Sequence, residues 1–169
     1  MRFNSAVFRF CLRASLFGLW SCCSASQVWA QSPELEGTWR LVMRELPNGK
    51  KILPPDVLGL SSYANGYKNQ NIVWRTPDGK VASISGISMV KITENEYSET
   101  VLYGRLVDPG SPQGMVLNVS GETKTVSLKR ESGRIQFKLP FAPPTVIVEG
   151  DKITAIAEGL FTDHWERLK

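Results

Sequence analysis

The chain is poor in the residues on which most reaction chemistry depends, with three cysteines and one histidine among 169 residues. Cys11, Cys22 and Cys23 all fall within the first 30 residues, so the remaining 139 contain no thiol. Disulfides, thiolate metal ligands and cysteine nucleophiles are excluded from that part. A Ser–His–acid triad needs an acid that orients its histidine. His164 has Asp163 beside it in sequence, but successive strand residues point to opposite faces and cannot orient one another. No Gly-x-Ser-x-Gly elbow exists, because Gly59-Leu60-Ser61-Ser62-Tyr63 lacks the second glycine. One histidine with carboxylates suits neither zinc nor copper, and haem would have only His164 as an axial ligand. No phosphate loop or dinucleotide fingerprint appears. No metal and no cofactor are therefore expected.

A marked charge excess is missing too. The formal net charge is +4, but Arg2, Arg9 and Arg13 lie in the first 30 residues, which carry no acid, leaving 17 basic against 16 acidic residues. A nearly neutral chain gives no warrant for nucleic-acid binding or adhesion to an acidic membrane surface.

What the first 30 residues do contain is a basic start, the apolar stretch Ala14-Ser15-Leu16-Phe17-Gly18-Leu19-Trp20, and Val28-Trp29-Ala30 with small residues at its first and third places. That order is read as a cleavable signal peptide over residues 1–30, cut before Gln31. The apolar run falls short of the roughly 18–20 residues of a membrane span, so no span is expected. The expected location is exported, periplasmic or secreted. Leu19-Trp20-Ser21-Cys22 loosely resembles the site at which bacterial lipoproteins are acylated on cysteine. Trp20 stands where that site has a small residue, which leaves lipid anchoring at Cys22 as the lesser reading.

From Glu36 onward, short β-like runs alternate with turn residues at intervals of about 8–12, the pattern of an all-β sandwich or barrel. Thr38 to Leu46 alternates, with Trp39, Leu41 and Met43 on one face and Thr38, Arg40 and Arg44 on the other, and stops at Pro47-Asn48-Gly49. The stretch from Ile52 to Gly59, with Pro54-Pro55-Asp56, has room for one helical turn. Gln70–Arg75 and Lys80–Ser88 form a hairpin around Thr76-Pro77-Asp78-Gly79, and Tyr97–Val107 is a long strand rich in β-branched and aromatic residues. Shorter strands follow to Leu168, separated by Gly121, Gly133, Pro143-Pro144, Gly150-Asp151 and Gly159. Closing such a sheet removes its edges. The expectation is one domain over residues 31–169, a small antiparallel up-and-down β-barrel of about 8–10 strands with little helix. A sandwich would want longer crossovers.

Leu35-Glu36-Gly37-Thr38-Trp39-Arg40-Leu41 resembles the Gly-x-Trp opening of the lipocalin and wider calycin group, most closely bacterial lipocalin-like domains that begin Gly-Thr-Trp-Arg-Leu. His164-Trp165-Glu166-Arg167-Leu168 is similar to the Trp-x-Arg ending of the same domains. The resemblance implies a closed barrel whose first and last strands are neighbours. Gly37, Trp39 and Arg167 then serve barrel closure, with the arginine over the tryptophan ring. The group's other motifs are not recognisable, so its ligand-binding habits transfer only weakly.

Candidate ligand-binding positions come from strand faces. Glu99 shares a face with Tyr97, Val101, Tyr103 and Arg105, a mixed aromatic and polar surface suited to a barrel interior. Asn71 and Trp74 are set against the small residues Ala82, Ser83, Ser85 and Gly86, which either leave free volume inside or mark strand bending or exposure. Glu94 and Glu96 fall in a turn and read as surface charge. No catalytic residue is assigned. The leading expectation is non-catalytic binding of a small apolar or amphipathic molecule inside the barrel. The alternatives are an isomerase- or cyclase-type enzyme using Glu99 or Tyr103 as acid or base, and a structural module of the envelope. Ligand identity and oligomeric state are left open.

Overall fold

The computed structural model describes residues 33–169; the expected signal, its cut before Gln31 and Cys22 lie outside the described residues. The described chain forms twelve strands and no helix: β1 Gly37–Glu45, β2 Lys51–Ile52, β3 Val57–Ala64, β4 Tyr67–Arg75, β5 Val81–Ile92, β6 Glu96–Val107, β7 Met115–Asn118, β8 Thr123–Glu131, β9 Arg134–Lys138, β10 Thr145–Glu149, β11 Lys152–Ala157 and β12 Phe161–Arg167. No helix of the described residues is long and apolar enough to cross a membrane.

All pairings are antiparallel, and neighbours in sequence are neighbours in the sheet along β3-β4-β5-β6 and β8-β9-β10-β11-β12. The sheet closes where β1 pairs β12, from Trp39 opposite Arg167 to Glu45 opposite Thr162. Ten strands thus form a closed up-and-down barrel, with β2 attached to β1 and β7 attached to β6. The fold is the all-β, closed antiparallel barrel that the turn spacing implies, with its first and last strands as neighbours.

Turn chemistry accounts for the hairpins. Gly49, Gly79 and Gly133 carry positive φ at their turns, as do Asn65 and Gly66 in the β3–β4 hairpin. That hairpin corrects two expectations. The residues after Ile52 make a single turn, in which the Leu53 carbonyl accepts from the Asp56 and Val57 amides, and then a full strand, Val57–Ala64, that was not expected. The partner strand β4 starts at Tyr67, three residues before the expected Gln70.

Two bulges set which side chains enter the barrel. In β1, Leu41 faces Trp165 while Met43 faces His164, so Val42 is the extra residue. In β6, Val101 faces Ser88 while Tyr103 faces Ile87, so Leu102 is extra. An extra residue moves all later positions to the other face. Arg44, expected on the face of Thr38 and Arg40, instead shares the inner face of Trp39 and Leu41 and is buried, and Met43 takes the outer face.

The core fills one end of the barrel. Trp39 and Tyr97 are fully buried there with Leu35, Leu41, Ile135 and Val148, and Tyr97 stacks on Phe137 with ring centroids 4.2 Å apart. At that end Trp39 Nε1 donates to the Leu35 carbonyl at 2.9 Å. The Arg167 guanidinium lies 4.2 Å from the Trp39 ring centroid and donates to the carbonyls of Glu34 and Glu36.

Candidate functional site

Above this base the barrel holds a cavity of about 300 Å³. Its walls are apolar, with Ile72, Ile84, Leu106, Val146, Ile153 and Trp165 among the side chains that face it. One level of the sheet runs from the cavity, which Ser61 and Gln70 line, to a lateral recess, which Gln70, Gly86 and Gly104 line. Ser61, Gln70, Gly86 and Gly104 are consecutive cross-strand neighbours on β3 to β6, two of them without side chains. β6 pairs β8 only from Glu96 to Thr100 and then pairs β7, which opens this recess, of about 230 Å³. Gln70, Ile84, Leu106 and Phe141 line both spaces.

Two buried ion pairs border the cavity. Toward the base, Lys68 Nζ donates to Glu99 Oε1 at 2.7 Å, Ser88 Oγ donates to the same oxygen at 2.8 Å, and the Tyr97 hydroxyl donates to Oε2 at 2.9 Å. Burial alone would raise the Glu99 carboxyl, but the Lys68 ammonium and these hydrogen bonds outweigh it and hold its pKa below the ordinary value. Burial would lower Lys68, and Glu99 more than offsets that, so the ammonium titrates above its usual range. Desolvation pushes Tyr63 and Tyr97 upward, and both stay protonated at neutral pH.

At the opposite end, Arg44 donates from Nε and Nη2 to the two carboxylate oxygens of Asp163, at 2.6 and 2.8 Å. Burial raises the Asp163 carboxyl, and the Arg44 contacts offset only part of that rise. The guanidinium also sits 4.1 Å from the Phe161 ring centroid and 5.0 Å from that of Trp74. Arg44, Trp74 and Phe161 line both the cavity and an outer depression, so they stand between the interior and solvent at this end.

The structure brings Trp74, Tyr97 and Glu99 to the interior, but their surroundings differ. Trp74 lines the cavity, Glu99 lines the recess, and Tyr97 lies in the packed base, reaching Glu99 through its hydroxyl. Asn71 is corrected: it is exposed on the outer face, where its amide donates to Asn69 at 3.1 Å. Strand alternation puts its neighbours Gln70 and Ile72 inside instead. Tyr103 does not share the face of Glu99, because the bulge at Leu102 pairs it with exposed Ile87, but it lines the same recess as Glu99. It borders only the lateral recess. Among the small residues, Ala82 and Gly86 fall on the inner face, and Ser83 and Ser85 alternate to the outer one.

Sequence reasoning missed Arg44, Ser61, Lys68, Gln70 and Asp163 as interior residues. Ser61 and Lys68 lie in strands that were not expected, and their placement follows once Asn65-Gly66 is read as a hairpin turn. His164 lies on the outer face from Asp163, as strand alternation requires, and the two do not form a catalytic pair. No cluster of His, Cys, Asp and Glu able to hold a metal ion occurs among the described residues.

The fold and site together define a closed antiparallel barrel with an apolar interior cavity and compensated internal charges. In three-dimensional comparison the chain is similar to a lipocalin-like protein from Bacteroides uniformis, at 12% identity and TM-score 0.35, covering 80% of this chain and 99% of that one. It is also similar to an uncharacterized protein from Bacteroides eggerthii, at 14% identity and TM-score 0.34, covering 79% of this chain and 99% of that one. No family model matches the chain, and no curated protein matches it.

Proposed function

We propose that this is an exported barrel protein that holds a small apolar or amphipathic molecule in its interior without covalent chemistry. The observation that carries the reading is the cavity itself, about 300 Å³ and walled by aromatic and aliphatic side chains with a few convergent polar groups. That is the lower end of the size range of ligand pockets, and their usual lining. Glu99 supports the non-catalytic side of the reading. A general base poised near neutrality needs a raised carboxyl pKa, whereas Glu99 is held ionised by Lys68 and by two hydroxyl donors. The export part rests on the basic start, apolar stretch and small-residue site of residues 1–30.

Native mass spectrometry of protein purified from its own host tests both parts. The expected result is a polypeptide beginning at Gln31 that carries one retained small molecule, released on denaturation. Ala155 is buried and lines the cavity, so Ala155→Phe fills the space and should yield the ligand-free mass. Retention of the same molecule by Ala155→Phe would refute interior binding, and an intact N-terminus on the exported protein would refute cleavage.

A further inference from the structure

The cavity's polar groups divide into two kinds. The charged ones that face the cavity, Arg44, Asp163, Lys68 and, at the edge, Glu99, are bonded to one another in opposite-sign pairs, and Arg105 borders only the recess, as an exposed residue. The neutral ones retain hydrogen-bonding capacity. Gln70 is half-buried at the junction of cavity and recess, and its side-chain amide makes no hydrogen bond to another described residue. Ser61 is its cross-strand neighbour and is 4% exposed. Its Oγ lies near Tyr63 but has no hydrogen-bond partner in ordinary geometry. Among the described residues only one other buried side-chain atom is unpartnered, Nε2 of His164, on the outer face. Buried polar groups are ordinarily satisfied, and an exception inside a cavity points to a missing partner.

Resting on the interior-binding reading, we infer that the ligand is uncharged: an apolar or aromatic body with one neutral hydrogen-bonding group, a hydroxyl or carbonyl, placed against Gln70 and Ser61. An amide and a hydroxyl each offer a donor and an acceptor, which matches such a group. A carboxylate or ammonium would enter a space whose fixed charges already cancel, and would have to take a partner from Lys68–Glu99 or Arg44–Asp163, leaving a buried charge unpaired. The cavity therefore selects against fatty-acid-like anions and lipophilic amines, although cations and anions both line it.

The test is calorimetric titration of the mature protein at pH 7 with naphthalene, 2-naphthol, 2-naphthoate and 2-naphthylmethylammonium. The expected order is 2-naphthol about ten-fold tighter than naphthalene, and both charged probes at least about a hundred-fold weaker than 2-naphthol. Gln70→Leu and Ser61→Ala should each bring the ten-fold ratio of naphthol to naphthalene affinity down to about two-fold or less. Gln70→Glu, which adds an unpaired acid, should shift the preference toward the ammonium. A charged probe that equals or exceeds 2-naphthol in the unmodified protein overturns the inference and leaves interior binding standing. So does a naphthol preference that survives both Gln70→Leu and Ser61→Ala. Failure of all four probes to bind overturns the interior-binding reading, and this inference with it.

Discussion

Replacing Lys68 with methionine keeps most of the side chain's length and removes its charge, leaving Glu99 buried with only the Ser88 and Tyr97 hydroxyls as donors. Breaking a buried pair from one side costs about 3–5 kcal/mol, because the remaining charge stays desolvated. With two hydrogen bonds retained, the expected loss lies near the lower figure, about 3 kcal/mol at pH 7. Urea unfolding followed by tryptophan fluorescence resolves a change of that size. In the double variant Lys68→Met with Glu99→Gln both charges are gone, and the expected cost falls to about 1 kcal/mol. The pH dependence gives a second reading. In the unmodified protein the folded Glu99 pKa is lower than the ordinary 4.5. Its ionisation therefore contributes stability that is present above the unfolded value and is lost as pH falls through the folded value. In Lys68→Met the attraction is absent, burial dominates, and the folded pKa moves above the unfolded value. Ionisation then destabilises the variant, so acidification from pH 7 should narrow the gap between the two proteins. A single substitution costing less than about 1 kcal/mol, or no more than the double, would refute the placement of this pair in a desolvated interior.

The base of the barrel and its packing supply two further tests. Arg167→Met removes the cation from the Trp39 ring and the donors to the Glu34 and Glu36 carbonyls, and should cost about 2–4 kcal/mol in chemical denaturation. Gly59→Ala would bring a methyl to 2.8 Å from Leu41 Cβ and 2.9 Å from Trp165 Cη2, an overpacking expected to cost about 1–3 kcal/mol. The same change at Gly104 meets nothing closer than 3.7 Å, and its melting temperature should stay near that of the unmodified protein.

The parts of the fold written in local chemistry were legible. Asp78-Gly79 and Asn48-Gly49 announced their turns, and the β-branched and aromatic content of Tyr97–Val107 announced β6. The β3–β4 hairpin was obscured because Leu58 and Leu60, each 50% exposed, sit on the solvent face of β3 and break the apolar-in, polar-out rhythm. Asn65-Gly66 was the signal that survived. The candidate site was less legible for a different reason. Period-two reasoning assigns faces correctly only while pairing is regular, and each bulge inverts it for the rest of its strand. The assignment of Glu99 to the interior precedes the bulge in β6; that of Tyr103 follows it.

Those two irregularities also explain why the interior has its particular chemistry. Were Val42 paired in regular register instead of bulged, strand alternation would put Met43 inside and Arg44 in solvent, and Asp163 would be a buried acid with no counter-charge. Were Leu102 paired in regular register instead of bulged, Tyr103 and Arg105 would project inward where Gly104 and Leu106 now stand. A phenol and a third cation would then occupy the space that the glycines at 86 and 104 leave open. One bulge thus completes the compensation of charge in the barrel, and the other keeps its volume free and its remaining polar groups neutral. Charge compensation and free volume have separate structural causes, so each can be removed alone. Arg44→Met should expose the cost of an unpaired Asp163 in stability, whereas Gly104→Phe should fill the recess and appear as lost binding.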